Sequence, residues 1–189
     1  MRGTFAANRD GMRYLLLAIS CIGCGGAMIE PGHRGLVFDR HQGLSHEVLT
    51  PGYHALSSSE RIEDFDVTYT TSREAIHVMT SEGLEVDVSA AIIHRPIIAE
   101  LYELETEVGR GYYINVVEPE LRSAARHVAA HHGVLDFVND TTKIEDEIEA
   151  ELRRRIAGKH VEISSVTFQT VKVAPELVAA MRNHALHPN

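Results

Sequence analysis

From Leu84 to Ile92 the chain alternates without a break: Leu84, Val86, Val88, Ala90 and Ile92 on one side, Glu85, Asp87, Ser89 and Ala91 on the other. Successive side chains of a strand point to opposite faces, so this stretch reads as an extended strand with one covered face and one wet face. That pattern belongs to an antiparallel sheet. Thr80-Ser81-Glu82-Gly83 just before it supplies a Gly-containing hairpin turn, reached from a strand carrying Ile76 and Val78. Further back, Gly35 to Arg40 reads as a first strand with Leu36 and Phe38 on one face, and Leu44 to Leu49 as its partner. Pro51-Gly52 turns the chain into Tyr53–Leu56, Ser57-Ser58-Ser59 is a loop, and the alternation of Phe65, Val67, Tyr69 and Thr71 reads as one half-buried strand.

At Pro96 the period switches from strand to helix. Ile97 to Glu107 reads as a short helix closed by Val108-Gly109. The next opens at Glu118-Pro119-Glu120, with proline and acids suited to a first turn, and buries Leu121, Ala124, Ala125 and Val128. Gly133 is expected to stop it, and Val134–Val138 to add a short helical turn. Thr142 with Glu145 has the spacing of a capping box, and Ile144, Ile148, Leu152 and Ile156 recur every fourth residue as one apolar stripe. After Gly158 a last strand, Val161 to Val173, changes apolar parity at Ser164-Ser165, which predicts a kink or bulge. Pro175 to Leu186 begins a final helix. The fold class is therefore α+β: a mainly antiparallel twisted sheet packed with three to four helices.

Ahead of the domain stands an apolar run, Tyr14 to Ile29, preceded by Arg2, Arg9 and Arg13. It is about 16 residues long and Gly-rich in its last third, where a spanning helix wants about 20 apolar residues. A charged start followed by a short apolar stretch and small residues is the pattern of a secretory signal, and Met12 is a possible start of a compact one. A cysteine after small residues at the end of such a run resembles a bacterial lipoprotein signal. Cys24, after Gly23, is the first candidate for lipidation and Cys21, after Ser20, the second. An uncleaved anchor helix and a cleaved soluble form stay open beside it. In all three readings the arginines stay inside and the domain lies on the extracytoplasmic, periplasmic side. The division is residues 1–29 as signal or anchor, 30–181 as the domain and 182–189 as a short tail.

Residue chemistry narrows the function. The net charge is −9 without a basic stripe, which argues against nucleic acid as a partner. Trp is absent, so any aromatic belt at a membrane surface rests on Tyr and Phe. A redox pairing of Cys21 and Cys24 is disfavoured, since an apolar run does not support a thiolate. His127, His131 and His132 are the best metal candidates, with Asp136 and Asp140 nearby, yet no third ligand is indicated and the expectation is no metal and no cofactor. For His131 and His132 the plainer reading is a favourable place in the last helical turn. His33 is read as part of a local turn. The acidic groups Glu63-Asp64 with Asp66, and Glu145-Asp146-Glu147 with Glu149, read as solvated faces, and Ser57-Ser58-Ser59 lacks the setting of a nucleophile. Arg153-Arg154-Arg155 either pairs with Glu149 and Glu151 along its own helix or meets an acidic strip of another copy.

Five phrases in order resemble one family. They are Gly32-His33-Arg34-Gly35-Leu36-Val37-Phe38-Asp39-Arg40 with Gly43-Leu44, the Pro51-Gly52-Tyr53-His54 turn, and Thr80-x-Glu82-Gly83-Leu84 leading to His94-Arg95-Pro96. Gly158 with the strand to Val173, and Pro175-Glu176-Leu177-Val178-Ala179-Ala180-Met181, complete the set. Together they resemble the SPFH or band-7 domain, and its prohibitin branch above the stomatins and flotillins, over about Glu30 to Met181. The resemblance implies a membrane-anchored scaffold with no catalytic residues. Its partners would be further copies or related SPFH proteins, membrane lipids through the N-terminus, and a membrane protease. Family members continue into a long coiled coil; the sequence here ends at Asn189, so a closed cage built through that region is not expected, while side-by-side packing of the domains stays open. Two other classes stand beside the scaffold: a small periplasmic ligand- or metal-binding lipoprotein, and, third, a hydrolase.

Overall fold

A computed structural model of the chain describes residues 25–174. Cys21, Cys24, the tail 182–189 and the helix expected from Pro175 lie outside the described residues. Eight strands run β1 Gly25–Ile29, β2 His33–Asp39, β3 Gly43–Leu49, β4 Gly52–Leu56, β5 Glu60–Asp66, β6 Thr70–Met79, β7 Glu85–Pro96 and β8 Val161–Lys172. They form three antiparallel groups rather than one sheet: a β1-β4 ribbon, β3-β2-β5, and β6-β7-β8. Between β7 and β8 come the short turn α1 Leu101–Glu103 and the helices α2 Glu118–Ala129, α3 Val134–Asn139 and α4 Thr141–Arg155.

The alternating strand is the spine. β7 is paired along its length with both β6 and β8. Val86, Val88, Ala90 and Ile92 are buried on one face, over which α2 lays Leu121, Ala124, Ala125 and Val128, and α4 lays Ile144, Ile148, Leu152 and Ile156. Removing such a side chain from water is worth roughly 1.5–3 kcal/mol, so these few positions dominate the fold's cohesion. Ala91, assigned to the wet face, is buried as well. It sits between the longer cross-strand neighbours Arg73 and Thr167, which shade its methyl group.

Several local expectations are corrected. The strand expected from Phe65 to Thr71 is two, because Val67–Tyr69 turns between β5 and β6; Asp66 accepts bonds from the backbone and hydroxyl of Thr68 there. Ile97 to Val108 is a 3₁₀ turn, α1 and a π-turn in series, not one helix, and a second π-turn, Tyr113–Val117, leads into α2. Gly133 does not terminate α2. Its extended backbone opens α3, where its N–H donates to Asp136 Oδ2 at 2.9 Å. Thr142 and Glu145 form no capping box, because Glu145 is used elsewhere: it accepts the backbone N–H of Phe168. Tail residues of the apolar run also move. Gly25–Ile29, placed in the anchor by sequence, is strand β1, in register with Gly52–Leu56.

The bulge expected near Ser164 is present: Ile93 faces Ser165 and His94 faces Ile163, leaving Ser164 extra. Its outward backbone groups meet side chains of α4. Arg153 donates to Ile163 O and Ser164 O at 3.0 and 2.9 Å, Glu149 accepts from Val166 N at 3.1 Å, and Glu145 from Phe168 N. One polar stripe at i, i+4, i+8 thus stands in for a neighbouring strand on an otherwise open edge. On the far edge Arg122 of α2 donates to Ala75 O at 2.9 Å.

Two substitutions separate these contributions. Ile148→Ala, at a fully buried site, is expected to lower unfolding stability by about 2–5 kcal/mol in urea titration. Arg153→Ala, which removes the bonds to the Ile163 and Ser164 carbonyls on the edge of β8, is expected to cost about 1 kcal/mol.

Candidate functional site

Towards one end the covered face of β6-β7-β8 turns polar. Strand parity puts His94 in line with Val86, Val88, Ala90 and Ile92, and it is only 3% exposed. Its Nε2 lies 3.0 Å from Ser72 Oγ on β6, and its Nδ1 lies 3.2 Å from the hydroxyl of Tyr112. Tyr113 stacks on the imidazole at 4.8 Å between centroids. The Tyr113 hydroxyl donates to Glu74 at 2.9 Å, and Arg122 closes the chain by donating to Glu74 and Glu118 at 3.0 Å each. Burial holds the His94 pKa below its ordinary value and pushes both tyrosines up, Tyr113 with help from Glu74. The result is a neutral imidazole among hydroxyls, with every ring nitrogen partnered. It pins the irregular segment from Ile97 to Val117 onto the sheet. That segment also reaches β3-β2-β5 through Tyr102 stacked on His46 at 3.4 Å and through Arg110, which pairs with Glu63 and covers the Phe65 ring. Ser72 with His94 resembles a nucleophile pair, but none of the described surface hollows is lined by either residue.

The other histidines act as clasps. His160, at a left-handed backbone position (φ 64°), bridges Glu100 at 2.9 Å and Glu107 at 3.4 Å. Burial opposes its charge, but these two carboxylates outweigh it and raise its pKa. His33, expected in a turn, binds Asp64 at 2.6 Å across β2 and β5, and that bond raises its pKa. His132 is buried against Glu147 at 2.6 Å, with Asp136 at 3.5 Å, so it turns away from His127 and His131. His131 instead bonds the His127 carbonyl at 2.8 Å. His127 and His131 are brought together, edge to face at 5.1 Å between ring centroids, but His132 is not with them, and among the described residues no group of three or more His, Cys, Asp or Glu is placed to hold a metal. Asp140 sits at the residue before α4 and makes no side-chain capping bond.

The remaining candidates also resolve into local bonding. Ser59 donates to Asp39 and the Ser57 N–H to Glu60, which closes the serine loop; the Ser59 hydroxyl, then the His41 N–H, hold the Asp39 carboxyl below the usual range. Glu63, Asp64 and Asp66 each have separate partners. Arg153, Arg154 and Arg155 are spent within the fold, on Glu149, Glu151 and Glu120. Arg154 first, with Arg155, takes the Glu151 carboxyl down to about 2. The pairing along α4 with Glu149 and Glu151 is present, and Arg155 reaches beyond it to Glu120 of α2. The sequence reading missed the His94 cluster, although the two-residue period carries straight on from Ile92 to His94.

The described residues thus form an antiparallel α+β domain in which the candidate polar groups make local bonds that hold its own parts together. The chain belongs to the SPFH domain / Band 7 family, whose model matches residues 27–185. It is similar to several prohibitins. It is 22% identical over 166 residues to prohibitin-7, mitochondrial, of Arabidopsis thaliana, covering 87% of this chain and 60% of that protein. It is 21% identical over 154 residues to prohibitin-1 of Saccharomyces cerevisiae, covering 81% and 54%, and 23% identical over 168 residues to prohibitin-2 of Dictyostelium discoideum, covering 88% and 56%. The chain thus spans little more than half the length of these relatives. Among the described residues no helix is long and apolar enough to cross a membrane.

The two best-defined histidines give opposite pH dependence. His94, with its folded pKa depressed, contributes stability that is full above its unfolded value near 6.5 and is lost as pH falls. His160, with its folded pKa raised, contributes stability that is full below about 6.5 and is lost as pH rises through the folded pKa. Chemical denaturation of His94→Gln across pH 5 to 8 is expected to show a flatter loss on acidification than the parent. His160→Gln is expected to cost more at the acid end of that range than at the alkaline end.

Proposed function

We propose that this chain is a membrane-tethered scaffold of the prohibitin type, which self-associates and organises or regulates membrane proteins, a membrane protease among them. The observation that carries the reading is the family match, which begins inside β1 and extends past β8 to residue 185. The prohibitin relatives support the branch. In this reading the domain works by contact and not by catalysis, and its partners are further copies or related SPFH proteins. With a net charge of −9, nucleic acid is not among them.

The tether is the apolar run, and the domain is held on the extracytoplasmic side. Because Gly25–Ile29 is used in β1, the run left for the tether, Tyr14 to Cys24, is about 11 residues, short of the ~17 that a spanning helix needs. This supports lipidation, at Cys24 first and Cys21 second. Several acyl chains hold a protein stably where one alone does not.

Two measurements test the reading. The protein extracted from membranes is expected to run above monomer size on size exclusion and to crosslink into a ladder; a strictly monomeric species with bound zinc overturns the scaffold. Intact mass is expected to show an acylated Cys24 as the first residue. An unmodified N-terminus at Met1 or Met12 excludes that tether.

A further inference from the structure

The β1-β4 ribbon has one face on the domain and one on solvent. Ile29 is buried and Ala27, His54 and Leu56 are half-buried on the inner face. The outer face is Gly26, Met28, Tyr53 and Ala55, arranged as two cross-strand pairs, Met28 with Tyr53 and Gly26 with Ala55. All four are exposed, Met28 at 67% and Tyr53 at 64%. Scattered exposed apolar residues are ordinary, but a strand face with no charged or hydrogen-bonding side chain beyond one phenol is not. The wet face of β7 carries Glu85 and Asp87, and Lys172 faces Asp87 from β8.

Two further observations give the face a direction. The Tyr53 ring lies over Gly26: a Cβ at Gly26 would collide with its Oη, Cζ and Cε2. The phenol therefore leans toward the start of β1. In sequence Gly25 directly follows Cys24, in the apolar run, so the face lies close along the chain to the segment read as the tether. At about 3.3 Å per strand residue, Met28 lies within ~10 Å of Gly25.

We propose that this outer face, Gly26, Met28, Tyr53 and Ala55, lies in the interfacial layer of a lipid bilayer, with Tyr53 as its anchor. The proposal rests on the membrane-tethered reading and adds an orientation to it. An amphipathic ring with an apolar body and a polar tip suits that layer, and the chain has no Trp to take the place. The domain is then held by two points, the run before Cys24 and the ribbon beyond it, instead of swinging on a flexible leash.

The lack of Trp makes the test simple. Full chains carrying Y53W, M28W or, as a control, M79W at the exposed far end of β6 are reconstituted in phosphatidylcholine–phosphatidylglycerol vesicles, with and without lipids brominated near the headgroup. Flotation and far-ultraviolet dichroism are recorded for each. The expected result is flotation of all three, quenching of the Y53W and M28W indoles by brominated lipid, and several-fold weaker quenching by aqueous acrylamide than for M79W. Chains that float while both ribbon indoles stay open to acrylamide and untouched by bromine overturn the orientation and leave the tether standing. Indoles shielded from both quenchers are covered by protein, which also overturns it. Chains that fail to float overturn the tethered reading itself, and the orientation with it.

Discussion

The structure depends on the burial of one face of β7 against α2 and α4. The strand is paired on both sides, so it supplies a rigid floor whose side chains cannot change face without a register slip of every pair. α2 lies against the β6 side and α4 against the β8 side, their apolar stripes join the side chains of β7 in one core, and Ile144, Ile148 and Leu152 of α4 are fully buried. Everything else is attached to this slab. The β3-β2-β5 sheet joins the same core through Leu36 and Phe65, and the segment from Ile97 to Val117 bridges the two through His94, Tyr102 and Arg110.

A slab of three strands has two edges, and open edges invite pairing with other chains. Here side chains meet the edges. The carboxylates and guanidinium of α4 meet the backbone of β8, and Arg122 meets that of β6. The same residues that a sequence reader takes for a solvated helix face are spent on backbone groups. For a protein that is proposed to assemble, this matters: contact between copies through those stretches of strand would first have to displace α4 or α2 side chains. The arginine triplet also has partners inside the chain, on Glu149, Glu151 and Glu120.

At the other end, the seam between apolar run and domain moves by five residues, with Gly25–Ile29 on the domain side. The uncharged ribbon face follows from the same shift, since neither Met28 nor Tyr53 has a defined facing until β1 and β4 are paired.

The alternation of Leu84–Ile92, the fourfold spacing of Ile144–Ile156 and the parity change at Ser164 are periodic signals in local sequence, and each marks its element because burial repeats with the geometry of strand or helix. The family was legible for a related reason: its phrases cluster at turns where glycine and proline fix the backbone, such as Gly32, Gly52 and Gly83, each with φ positive. What the sequence did not hold was pairing across distance. Whether Gly25–Ile29 continues an anchor or joins a sheet is decided by Gly52–Leu56, which offers it a partner strand. His94 reads as the end of a strand, yet becomes a buried neutral imidazole because Ser72 and Tyr112 arrive from other elements. Glu145 fits a capping box in sequence and instead bonds Phe168. Short-range periodicity determined which residues are inside. Tertiary structure alone decided which polar groups meet, because a hydrogen bond is satisfied by whichever partner the fold brings within reach, not by the nearest one in sequence.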